Sequence, residues 1–379
     1  MNVDALCEAA AFAAGTDDFG DPSYRDGLDA LVASLRDEAA LSELGAIALE
    51  AQITRMLTNR LRILDWHRNH PELATTPVTR PLIVVGLPRT GTTLLSYLLD
   101  CDPAHRSLLR WEALDPVPPP DTATLTTDPR VAQAAADEEA LHALNPQFRA
   151  MHYEAPDGPT ECVTLLAHDF RSLLWETLAN IPSYSEWLLA HDQHSAYAHH
   201  RRCLQVLQSR APGRWSLKTP HHCLALPELL AQYPDACLVM THRDPLTVTA
   251  SVSSLVRSLS GTWSETDHRD YIARHWPDVL VECVRRVAAH RAAHPEQEPQ
   301  WFDLPYDALV RDPIGSVERI YAHFDDELTG VTRTRLEAYV AAHPQGEHGP
   351  HRYSLDDFGI DAGELRERFD DAGGSVIPR

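Results

Sequence analysis

Long apolar runs are missing from this chain: nowhere in its 379 residues do eighteen apolar residues follow one another, which excludes a bilayer-crossing helix. The first residues hold alanines but no basic segment ahead of an apolar stretch, so no secretory leader is expected and the protein reads as cytoplasmic. Cysteine is sparse. Its seven residues show no CxxC or CxxH spacing, which indicates neither a zinc site nor a disulfide framework; small buried hydrophobes and a few free thiols are the plainer reading. Positive charge is also short. Lys and Arg number 33 against 55 Asp and Glu, a formal net charge of −22, which argues against nucleic acid as a partner, because a phosphate backbone needs a basic face. An anionic small molecule stays admissible if its site gathers the few cations available, and Arg89, Lys218, Arg243 and Arg257 stand out for that. The 21 His are mostly dispersed singles or adjacent pairs such as His199 with His200 and His221 with His222. Neighbours on a regular helix do not face one ion, so no metal is expected.

What is present is a phosphate-binding loop without its lysine. Pro81 to Gly86 is an apolar, β-branched run, Gly91 follows, and an amphipathic pattern extends from Thr92 through Asp100. That is strand, glycine turn, helix. In an NTPase the loop reads GxxxxGK[ST], its lysine reaching the β- and γ-phosphates. Thr92 stands in that place here, and a cation has moved upstream to Arg89. Backbone N–H groups at a helix start still cradle an anion, so the ligand is expected to be phosphate-like without a β,γ-phosphate chain. The bland alternative is a strand-turn-helix whose glycines only permit tight packing.

The 44% hydrophobic and 23% charged content is that of an ordinary globular protein, long enough for a sizeable core. Residues 1–78 read as a helical region packed on the core, with Leu49, Ile53, Leu57, Leu61 and Leu64 on one stripe. Residues 79–379 read as an α/β domain with a helical insertion at about 122–210, where no strand is expected. Further strands are expected at Arg214–Lys218, Ala236–Thr241 and Gln300–Leu304, with a short helix between the first two. Asp244 and Pro245 open another helix as cap and first turn. The expected fold class is α/β: a P-loop-type parallel sheet flanked by helices.

Arg243 lies just past an apolar strand, where open α/β sheets place ligands, and Ser251 lies two helical turns on. Lys218 closes a strand at the same sheet edge, where a cation can stabilise a leaving oxygen. Arg89, Thr90, Gly91, Thr92 and Thr93 resemble the phosphosulfate loop of sulfotransferases that use 3′-phosphoadenosine 5′-phosphosulfate (PAPS), and Arg243 with Ser251 resembles the element with which they grip the 3′-phosphate. The chain is similar to the bacterial branch of that family, which includes mycobacterial lipid-modifying enzymes. The resemblance implies in-line transfer of a sulfuryl group from PAPS, without a metal, to a hydroxyl of a small-molecule or lipid-like acceptor. Arg89, Thr92 and Thr93 would hold the phosphosulfate and Lys218 would assist the leaving group. The run from His348 to Gly359 looks like the family's closing loop, with Arg352 meeting the 3′-phosphate. Where mammalian-type relatives carry a histidine base, two residues after the matching lysine, this chain has Pro220. Three residues compete for that role: Glu112 first, since it follows the first βα unit, then His221, then Glu161, whose place at a helix start also suits a carboxylate with no catalytic duty. Phe148, Met151, Tyr153, Phe170 and Trp175 either line an acceptor pocket or belong to the core. An atypical P-loop kinase or nucleotide hydrolase, a non-catalytic nucleotide-binding regulator, and a homo-oligomer are the readings left open.

Overall fold

The computed structural model describes residues 1–152, 154–344 and 353–373. Three helices come first, α1 (Val3–Ala14), α2 (Tyr24–Asp37) and α3 (Glu43–Asn69). The Ser42 side chain caps α3 by accepting from the Gly45 N–H, and the expected stripe is buried at Leu49, Ile53, Leu57 and Leu61. The chain then forms β1 (Leu82–Gly86), α4 (Thr92–Asp100) and β2 (His105–Ser107). The helices α5 (Arg110–Leu114), α6 (Pro129–Leu144), α7 (Phe148–Met151), α8 (Val163–Leu166), α9 (Leu174–Leu178), α10 (Pro182–Ala190) and α11 (His194–Gln208) follow. Beyond them lie β3 (Arg214–Lys218), α12 (Leu226–Gln232), β4 (Cys237–His242), α13 (Pro245–Gly261), α14 (Arg269–Ala293) and β5 (Trp301–Pro305). The chain closes with α15 (Tyr306–Arg311), α16 (Pro313–His323), α17 (Gly330–Ala342) and α18 (Ala362–Asp371).

The five strands form one parallel sheet in the order β2-β3-β1-β4-β5. Strand β1 is buried throughout, and its alternate side chains feed two cores, as a parallel sheet covered on both faces requires. Ile83 and Val85 join the cluster that also holds Leu28, Leu57 and Trp215, so the N-terminal helices share a core with the sheet. Leu82 and Val84 pack with Leu95 and Leu99 of α4 and Val317 and Ile320 of α16. After β1 the chain moves to one side of the sheet for β2 and β3, then crosses to the other side for β4. The carboxyl ends of β1, β3 and β4 therefore surround a topological switch point, where such folds take their ligands.

Strands β4 and β5 run one residue later than the pattern predicted. β2 was not expected, since three residues reading His, Arg, Ser carry no apolar period. Among the described residues no helix is long and apolar enough to cross a membrane.

Candidate active site

The loop after β1 is held by backbone conformations few residues adopt. Gly86 has φ +144°, and a Cβ there would lie 2.4 Å from Thr241 Oγ1. Gly91 has φ +91° at the start of α4, and Arg89 between them also has a positive φ of 66°. Thr90 Oγ1 donates to the Leu87 carbonyl (2.6 Å) and lies 2.6 Å from Thr241 Oγ1, which ties the loop to β4. The first turn of α4 then presents N–H groups that have no acceptor within the helix.

Two cations converge on this loop. Arg89 Nε donates to Ser251 Oγ (3.1 Å) and its Nη1 to the Met151 carbonyl (2.9 Å). Arg243 Nη1 donates to the Arg89 carbonyl (2.8 Å), and its guanidinium lies 4.2 Å from the centre of the Tyr306 ring. Ser251 is carried on α13, whose start is built as the sequence predicted, with Pro245 in the first turn and Asp244 accepting from the Thr247 N–H. Burial lowers the Arg89 pKa, and the like charge of Arg243 lowers it further; a guanidinium stays cationic all the same. Among the described residues neither arginine has a carboxylate partner. Two partly buried cations beside unpaired helix N–H groups fit a dianionic ligand.

Lys218 supplies the third cation. Its Nζ donates to Thr93 Oγ1 (3.3 Å) and Glu161 Oε1 (3.3 Å), lies 3.7 Å from Glu154 Oε1, and the side chain is 1% exposed. Burial would lower its pKa, but the charges of Glu161 and Glu154 outweigh it and the ammonium is held above the usual lysine value. It is also the only lysine among the 379 residues, the other 32 basic residues being arginine. That count is a signal open to sequence reading, since a lone lysine at a strand end stands out from composition alone.

The carboxylates divide by environment. Glu154 is buried, accepting from Arg110 Nη1 (2.9 Å) and Thr160 Oγ1 (2.8 Å). Burial alone would raise its pKa, but His152, Lys218 and Arg110 together hold it well below the carboxylate range. No motif in the sequence marked it. Glu161, just ahead of α8, accepts from Thr219 Oγ1 (3.3 Å) on its second oxygen, with its side chain 22% exposed.

Glu112, preferred as the base on chain order, faces elsewhere. Its side chain is fully buried and paired with Arg106 (2.5 and 3.1 Å), and it caps α5 by accepting from the Leu109 N–H (3.1 Å). The Arg106 guanidinium is sandwiched against Trp215. Glu112 is thus a structural ion pair and not a wall of the cavity. His221 does reach the cavity wall, yet its Nδ1 accepts the Leu173 N–H (3.2 Å), so the neutral ring carries its proton on Nε2. Burial pushes its pKa down to about 3. With its free lone pair used and its proton retained, it is a poor base. Arg257 pairs with Asp267 (2.9 Å) at the surface. Arg352 and Tyr153 lie outside the described residues. Phe170 and Trp175 stack in the core (5.8 Å), whereas Phe148 lines the cavity. His168, His199 and Cys203 bring their ligand-type atoms within 4.8 Å of one another, but in the buried core and not on the cavity wall.

The cavity measures about 1070 Å³. On one side lie the loop, Arg243, Tyr306 and Tyr339; on the other an apolar chamber runs past Leu173, Leu178, Val252 and Val256 to Leu259 and Trp263. Thr93 and Glu161 stand between the two.

A lysine-less anion loop at the switch point of a parallel sheet, joined to an acceptor chamber, defines a sulfotransferase: the model of the sulfotransferase family matches residues 81–330, and the chain belongs to that family. The kinase and nucleotide hydrolase readings are thereby set aside. The crystal structure of sulfotransferase STF9 from Mycobacterium avium aligns with a TM-score of 0.91 at 34% identity over 98% of this chain and 96% of that one. That of sulfotransferase STF1 from Mycobacterium tuberculosis aligns at 0.86 and 35%, over 98% and 99%. Omega-hydroxy-beta-dihydromenaquinone-9 sulfotransferase Stf3, from Mycobacterium bovis and Mycobacterium tuberculosis, is 24% identical over 310 residues, 79% of this chain and 74% of the relative.

Proposed function

We propose that the protein moves a sulfuryl group from PAPS to a hydroxyl on an apolar, lipid-like acceptor, without a metal. The observation that carries this is the position of Lys218. In a chain that uses arginine for every other basic residue, the one compact ammonium joins the first turn of α4 through Thr93 to Glu161 at the mouth of the apolar chamber. When bound, PAPS supplies the sulfuryl group and a bisphosphate leaving group. The loop amides, Arg89, Thr92 and Thr93 would hold its phosphosulfate end, and Arg243 with Ser251 its 3′-phosphate.

Lys218 donates toward the oxygen on which negative charge develops; an ammonium held between fixed partners in a dry site does this without reorganising. Glu161 takes the acceptor's proton: both glutamates line the cavity, but the Glu161 side chain is 22% exposed, whereas Glu154 is 5% exposed and already accepts from Arg110 and Thr160. Glu154 remains ionised as a fixed counter-charge. The acceptor class is supported by the chamber's apolar walls and by the lipid acceptor in the name of the Stf3 relatives.

Calorimetry tests the cofactor assignment: adenosine 3′,5′-bisphosphate is expected to bind far more tightly than AMP or ATP, equally well with EDTA present. Tighter, Mg²⁺-dependent binding of ATP would overturn it.

A further inference from the structure

The apolar chamber does not end inside the protein. Helix α3 and helix α6 flank its outer mouth and are tied together by Arg55 to Asp137 (2.9 Å). Both are anchored at the end of α13: Ser42 Oγ donates to the carbonyl of Trp263, two residues past the helix (3.2 Å), and Asn145 Nδ2 donates to the Ser258 carbonyl in its last turn (2.8 Å). The cavity wall at this end includes Ala48, Ala51, Ala140, Leu144, Leu259 and Trp263, beside the polar Gln52, Arg55 and Asp137. The apolar surface then continues outward. Leu44 and Ile47 share a helical face with Ala48 and Ala51 by their spacing; they are 47% and 63% exposed, and Leu144 opposite is 51% exposed. Of the five large hydrophobic residues exposed on the described surface, three therefore sit at one place, the lip of the acceptor chamber. Scattered singly they would need no explanation; gathered at a cavity mouth they mark an interaction site.

We propose that this lip rests on the surface of an uncharged or zwitterionic lipid layer, from which a long-chain alcohol enters hydroxyl first. The inference rests on the lipid-like acceptor proposed above and adds the partner that presents it. Continuity selects this occupant: Leu44, Ile47 and Leu144 adjoin the apolar part of the cavity wall that the acceptor's chain follows, and a lipid layer both covers them and supplies the chain. Charge selects the kind of lipid. Glu43, Glu50 and Glu139 are exposed around the lip on a chain of net charge −22, against Arg149 beside α6 and Arg55, a lining cation that is already paired. Anionic headgroups and acidic carrier proteins are repelled by this surface.

The test pairs two substrates with one double variant of the full chain, Leu44→Asp with Ile47→Asp, neither residue lining the cavity. Turnover is read with a soluble short alcohol, 1-hexanol, and with hexadecanol embedded in phosphatidylcholine vesicles; flotation reads binding to phosphatidylcholine and to phosphatidylglycerol vesicles. The wild type is expected to float with phosphatidylcholine and less with phosphatidylglycerol. The variant is expected to lose flotation and about tenfold or more of its vesicle turnover, while hexanol turnover stays within about twofold. If hexanol turnover falls as much, the milder Leu44→Gln with Ile47→Gln pair is measured; equal loss on both substrates there overturns the docking role. Unchanged vesicle turnover in the aspartate variant overturns it as well, and so does a wild-type dimer that the variant dissolves, which would make the lip a contact between copies. Absence of turnover on either substrate by a wild type that still floats would sink the transfer reading and leave the docking surface standing.

Discussion

At the scale of single residues, the two glutamates Glu161 and Glu112 are expected to respond differently to the same change. Glu161→Gln keeps shape and removes basicity, so turnover should fall by roughly 10²–10⁴ while calorimetry finds bisphosphate affinity nearly intact. Glu112→Gln should do the reverse. Weakening its buried pair with Arg106 costs about 3–5 kcal/mol, seen as a lower denaturation midpoint, with turnover per folded molecule retained; normal stability with lost turnover would restore Glu112 as the base. Arg243→Ala is expected to weaken adenosine 3′,5′-bisphosphate by about 2–5 kcal/mol and AMP far less, and equal losses would show that Arg243 does not read the 3′-phosphate. The juxtaposition of Arg89, Arg243 and Ser251 was legible in the sequence because each follows a strand end at a fixed local distance. The orientation of Glu112 was not, because it is set by Arg106 and Trp215, contacts that no local pattern announces. The state of the His221 ring was hidden for a similar reason: one backbone N–H, that of Leu173, decides its tautomer.

At the scale of elements, the β1 loop depends on a close approach to β4. A methyl group at residue 86 would overlap Thr241 Oγ1 at 2.4 Å, in a backbone conformation that L-residues rarely adopt. Gly86→Ala is therefore expected to destabilise the fold by about 1–3 kcal/mol from overpacking, with a further increment from strain at φ +144°, and to loosen bisphosphate binding by moving the amides. Thermal denaturation with and without the ligand measures both; a variant as stable and as tight-binding as the wild type would show that the loop is not registered by this contact. Strands β1 and β4 were legible because burial on both faces writes an apolar run; β3 and β5 were legible from the apolar residues within them, Trp215 with Leu217 and Trp301 with Leu304. β2 was not, since an edge strand of three residues is fixed by its neighbour β3 and not by its own composition.

At the scale of the whole molecule, the interior holds several neutral histidines. Burial pushes His168, His200 and His221 down to about 3 and holds His199 and His222 well below the ordinary value. For a base whose folded pKa is depressed, the unfolded chain gains the proton first, so stability is complete above pH 6.5 and is lost on acidification toward the folded value. Each such ring removes about 1.4 kcal/mol per pH unit, so the three together remove about 6 kcal/mol by pH 5, much of an ordinary domain's stability. The denaturation midpoint should drop steeply between pH 6.5 and 5, and a flat profile there would contradict the burial of these rings. Composition has a second consequence. Because Lys218 is the only side-chain amine in the sequence, reductive methylation with ¹³C-formaldehyde would place an NMR-visible label on a chain terminus and on one other nitrogen. A small amine-seeking reagent therefore becomes, for this protein, a spectroscopic window on the position beside Thr93 and Glu161, with no engineered residue and only the terminal amine besides to assign.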